Sequence, residues 1–178
     1  MKTVNKMLLS LSVAFSSVSV SGEHGDKRIE SIEYVHQKVM TIAGELEKNI
    51  ERCSLVRSGS ELPKIDSKKL ESFGVDKALI VQGLSYLSNR NFELCEGKYR
   101  VDLAYQLGVL KNLGDYYEVK LPPIDNIKKA VIYPTNREIE AELIYNNLPI
   151  KAKEYISNAV GNEPFNLLKT ISVNKLLE

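Results

Sequence analysis

The sequence predicts an all-α fold: a disulfide-stapled, irregular bundle of five or six helices with one long Pro- and Tyr-containing loop. Three observations lead there. Apolar residues recur at three- and four-residue spacing through most of the chain. Glycine, proline and capping residues fall where those stripes stop. Two cysteines, Cys53 and Cys95, stand towards the ends of the first two long stripes.

The N-terminus is organised differently. Met1–Lys6 carries Lys2 and Lys6 and no acid, Met7–Val20 is uncharged and mostly apolar, and Ser19 and Ser21 supply small residues before Gly22. A basic, then apolar, then small-residue order is the plan of a secretory signal, so residues 1–21 are expected to be a cleavable signal peptide. The apolar run is shorter than the roughly 17–25 residues of a membrane span, and serine dilutes it. Removing 21 of 178 residues leaves 157, the size of one domain, and 22–178 is expected to be a single helical domain in the periplasm or outside the cell.

The full chain has 24 basic and 23 acidic side chains; losing Lys2 and Lys6 turns this into 22 against 23. Nucleic-acid binding shows as a clustered basic field, which this balance lacks. Nor is there a charge reason for a membrane partner, and no later stretch is long and apolar enough to span. In an oxidising compartment, two isolated cysteines without nearby metal ligands read as a disulfide. A Cys53–Cys95 bridge would close a loop of about 40 residues, worth about 4 kcal/mol by chain entropy.

The first helix is expected from Asp26 to about Arg57. Ile29, Ile32, Val35, Val39, Ile42, Leu46, Ile50, Cys53 and Val56 form one stripe, and Ser58-Gly59-Ser60 ends it. A short amphipathic piece, Ser67–Phe73, closes on Gly74. From Val75, the residues Ile80, Leu84, Leu87 and Cys95 continue in helical register, with Asn91 in the skipped turn. Past Gly97, Leu103, Leu107 and Leu110 run on to Gly114, so residues 75–114 fit either one kinked helix or a helical hairpin.

Periodicity fails from Asp115 to Thr135, where Pro122-Pro123 blocks helix; a long loop is expected, with room for short strands at 117–121 or 130–133. Thr135 and Glu138 then form a capping box for a helix lined by Ile139, Leu143 and Leu148. Pro149 opens another, with Ala152, Ile156 and Val160 inward and Gly161 beyond its end. Asn162 and Pro164 begin the last, with Phe165, Leu168 and Ile171 apolar.

Catalytic and cofactor signatures are missing. The histidines are His24, near the mature N-terminus, and His36, on the outer side of the first stripe; no G-x-S-x-G, phosphate loop or C-x-x-C-H occurs. No catalytic residue, bound metal or cofactor is therefore expected. One conditional site depends on cleavage after Ser21: Gly22-Glu23-His24 would then offer an α-amine, two amide nitrogens and an imidazole to Cu(II) or Ni(II).

The chain has nine tyrosines, four phenylalanines and no tryptophan, and Tyr116, Tyr117 and Tyr133 fall in or beside the Pro-rich loop. Tyrosine joins apolar area to a hydroxyl and is enriched at interfaces, which makes these three the candidate partner-binding residues. The functional expectation is an exported, non-enzymatic protein that binds another protein, as an accessory, inhibitor, immunity or chaperone-like factor. The alternatives are a carrier of a small ligand or of Cu(II)/Ni(II), and an enzyme whose active site is dispersed through the sequence.

Overall fold

The computed structural model describes residues 23–121, 124 and 136–177, and among these there are seven helices and no strand. They are α1 (Glu23–Gly59), α2 (Ser67–Glu71), α3 (Lys77–Glu96), α4 (Tyr99–Tyr117), α5 (Asn136–Asn147), α6 (Ile150–Val160) and α7 (Leu167–Val173). The all-α expectation holds, and the helix count rises to seven because residues 75–114 form two helices. Gly97 ends α3 with φ 72°, a backbone conformation that favours glycine, and α4 starts two residues later. The expected signal segment, residues 1–21, lies outside the described residues.

The chain divides into two compact units: Met1–Lys48 with Lys98–Tyr133, and Asn49–Gly97 with Pro134–Glu178. In the first unit, α1 buries Ile32, Val35, Val39, Ala43 and Leu46, and α4 buries Leu103, Leu107 and Leu110, together with Ile124. These belong to the stripes the spacing predicts, with Ala43 added, whereas Ile29 and Ile42 of the predicted α1 stripe are only half-buried. α4 outlasts its predicted end at Gly114 by a turn, so Asp115, Tyr116 and Tyr117 are helical and no strand forms at 117–121. Glu118 then turns left-handed (φ 55°), and the Val119 N–H donates to the Gly114 carbonyl at 2.9 Å.

The second unit is built around α3, which packs against α2, α5, α6 and α7. Its core joins Ile80, Leu84 and Leu87 of α3 to Leu148, Ala152, Ile156, Phe165 and Ile171. Gly83 lets the helices approach: a Cβ there would stand 3.2 Å from Leu148 Cδ1. Tyr145 of α5 stacks on Tyr86 of α3 at 4.7 Å, and its hydroxyl lies 2.6 Å from Ser157 Oγ. Burial, with the Glu142 charge adding to it, pushes the Tyr86 phenol pKa above its ordinary value.

Three expectations for this unit are corrected. Ile139 and Leu143 are exposed on α5, because its inward positions are Ala141, Tyr145 and, beyond its end, Leu148. The last helix begins after Asn166, whose side chain accepts from the Lys169 N–H, instead of at Asn162–Pro164. Leu168, one residue into that helix, points to solvent while Ile171 is buried. Thr135 of the expected capping box lies outside the described residues, directly before α5.

The disulfide is present. Cys53 of α1 and Cys95 of α3 are bonded, with Cα atoms 5.9 Å apart and a sequence separation of 42. Arg52 reinforces the junction, donating from Nη2 to the Cys95 carbonyl at 2.7 Å, one of the carbonyls the α3 C-terminus leaves unpaired.

Candidate functional site

Within the first unit, α4 has two apolar ridges. One, Leu103, Leu107 and Leu110, is buried. The other runs along its outer face: Val101 is 71 %, Tyr105 67 % and Tyr116 78 % exposed. At 100° per residue these three fall within about 60° of one another, on the side of the helix away from the core ridge. A helix normally turns polar side chains outwards, and here three large apolar-bodied residues stand on the outer face instead.

Beside this ridge lies a groove of about 460 Å³. Tyr34, Lys38, Thr41 and Ile42 of α1 line one side, and Asp102, Tyr105 and Gln106 of α4 the other. Tyr34 is itself 58 % exposed, and the Lys38 ammonium sits over its ring, 4.4 Å from the centroid. That cation–π contact preorganises the tyrosine at the groove wall. Asp102 carries the opposite charge, paired with Lys98 at 3.8 Å along α4.

Of the three tyrosines singled out from the sequence, Tyr116 belongs to the outer ridge, in the last turn of α4 instead of a loop. Tyr117 is half-buried beneath it: the two rings meet edge to face at 4.9 Å, and the Arg28 guanidinium lies 5.9 Å from the Tyr117 centroid. Tyr133 lies outside the described residues. Sequence reading missed Tyr34, Val101 and Tyr105. The i, i+4 pairing of Val101 with Tyr105, out of phase with Leu103 and Leu107, is the signal that would have found the two on α4.

His36 does not stand on an open face. It is half-buried in α1, and desolvation lowers its pKa below the ordinary 6.5, with the nearby Glu33 charge opposing. The imidazole is thus held towards its neutral form. Among the described residues no group of three His, Cys, Asp or Glu side chains could hold a metal ion. The conditional copper or nickel site lies outside the described residues, as Gly22 and the side chains of Glu23 and His24 do. No helix among the described residues is long and apolar enough to cross a membrane.

The class these features define is an all-α helical bundle with one internal disulfide and an exposed tyrosine-bearing helix face. No family model, no curated protein and no solved structure matches the chain.

Proposed function

We propose that this is an exported, non-enzymatic protein that binds another protein through the outer face of α4 and the groove beside it. The observation that carries the reading is the second apolar ridge of α4, Val101, Tyr105 and Tyr116, which the core does not use. Large, half-apolar tyrosines with few rotatable bonds are suited to interfaces, because they bury much area for little lost side-chain freedom. The α1/α4 groove would take an apolar-faced segment of the partner, the mode in which a helix lies between two others. Export is supported by the signal-like residues 1–21 and by a disulfide of the kind that persists in oxidising compartments. An accessory, inhibitor, immunity or chaperone-like factor would have these properties.

The test is recovery of one stoichiometric partner from the exported fraction by the wild-type chain. Tyr105→Ala/Tyr116→Ala should weaken that complex at least tenfold, since two exposed aromatic anchors each cost about 1–2 kcal/mol on truncation. Both side chains are mostly exposed, so the thermal midpoint should stay put. An unchanged affinity in the double variant would remove this face as the binding surface.

A further inference from the structure

Residues 60–66 join α1 to α2 and belong to no helix. Their burial alternates: Pro63 and Ile65 are buried, Glu61, Lys64 and Asp66 are exposed, and Leu62 is half-buried. Asp66 has φ −83° and ψ 99°, and a burial period of two is the signature of extended backbone. In such a backbone the N–H and C=O of one residue point to one side, and those of its neighbours to the other.

Asn174, at the end of α7, pairs with one side of this segment. Its Oδ1 accepts the Ile65 N–H at 2.8 Å, and its Nδ2 donates to the Pro63 carbonyl at 2.9 Å. A single side-chain amide thus copies the pairing of a neighbouring strand. The opposite side ends where the Asp66 N–H donates to the Tyr155 hydroxyl at 3.0 Å, and before that it carries the N–H and C=O of Leu62 and Lys64, which have no hydrogen-bond partner among the described residues. This is an extended segment in an all-α protein with unpaired backbone groups on one side, the feature by which a sheet edge recruits another extended chain.

The same stretch forms one wall of a groove of about 620 Å³, in the size range of ligand sites. Val160, Glu163, Pro164 and Phe165 form the facing wall, whereas Asn174 does not line it. That wall is fixed from behind by the fully buried Asn91 of α3, whose Nδ2 donates to the Gly161 and Glu163 carbonyls at 2.9 and 3.0 Å. Two exposed carboxylates, Glu61 and Glu163, line the groove against one ammonium, Lys64.

We propose that this groove binds an extended peptide of alternating apolar and basic residues. The peptide pairs with the free edge at Leu62 and Lys64, rests apolar side chains on Val160, Pro164 and Phe165, and presents basic ones to Glu61 and Glu163. It is a site separate from the α4 face, with its own chemistry: backbone pairing supplies the affinity and the alternate side chains the selectivity.

Fluorescence anisotropy of the full chain with a fluorescein-labelled Val-Lys alternating hexapeptide tests this directly. Saturable binding is expected, at least tenfold tighter than for the Val-Glu counterpart. Methylating the alternate peptide nitrogens that face the edge should weaken it about tenfold. Lys64→Pro, which deletes one free N–H and fits extended backbone, should do the same, while Lys64→Ala should keep or improve binding. Glu61→Lys/Glu163→Lys should reverse the preference towards the Val-Glu peptide. Thermal unfolding of each variant confirms the fold, and Tyr105→Ala should leave the peptide affinity unchanged, which separates this site from the proposed protein interface. No saturation by either peptide up to about 1 mM, or binding indifferent to backbone methylation and to charge reversal, overturns the proposal.

Discussion

At the residue scale, two helical glycines that look alike in the sequence have opposite roles. Gly44, in the middle of α1, has nothing within 4 Å of where a Cβ would stand. Gly114, in the last turn of α4, is buried, and its Cβ would run into Leu121, with Cγ 2.7 Å away, and approach the Val119 carbonyl oxygen at 3.2 Å. Alanine in an unhindered helix interior gains up to about 1 kcal/mol over glycine, whereas overpacking costs about 1–3 kcal/mol. Gly44→Ala should therefore raise the urea midpoint and Gly114→Ala lower it. Two changes of the same sign would show that the folded-back turn after α4 does not depend on Gly114.

At the element scale, three helices end in one and the same way, and only one of them uses glycine. After α2, the Gly74 N–H donates to the Glu71 carbonyl at 2.9 Å and the Val75 N–H to the Leu70 carbonyl at 3.1 Å, with Gly74 left-handed at φ 81°. The ends of α4 and α7 repeat this pairing around Glu118 (φ 55°) and Lys175 (φ 50°). An apolar residue follows each time: Val75 and Leu176 are buried, and Val119 is half-buried. A side chain in the left-handed region costs roughly 1–2 kcal/mol, part of which glycine gives back through its freer unfolded chain. Glu118→Gly and Lys175→Gly are each expected to stabilise by about 0.5–1 kcal/mol in denaturant titrations, with Glu118→Gly also removing an acid from the negative end of the α4 dipole. Destabilisation by either substitution would mean that its side chain makes a contact worth more than the backbone relief.

At the scale of the whole molecule, the disulfide is the covalent constraint on the fold. It joins positions 42 apart, and the chain-entropy estimate for such a loop is about 4 kcal/mol. For a chain of this length each kcal/mol moves the midpoint by about 2–4 °C, so reduction or Cys53→Ser/Cys95→Ser should lower it by roughly 8–16 °C. A drop of only a degree or two would show that the reduced, unfolded chain is already restricted in that loop. The bond and Arg52 act at the same place, because both fasten the end of α3 to α1 within the second unit.

Helical periodicity, caps and the cysteine pair determine the all-α class, the core stripes of α1, α3 and α4, the start of α6 and the partner of Cys53. These depend on spacing along one helix or on residue chemistry, which a linear sequence carries in full. Tertiary packing alone decided which apolar residues stay outside. Ile139, Leu143 and Leu168 have the right composition for a core, but a helix can bury only the face its neighbours cover, and those neighbours come from distant segments. The outer ridge of α4 was written at i, i+4 in Val101 and Tyr105, yet its meaning required knowing that Leu103, Leu107 and Leu110 already fill the core. The extended edge at 60–66 was not legible at all. Its pairing is made by Asn174, more than a hundred positions away, and no local pattern announces a side-chain amide that stands in for a strand.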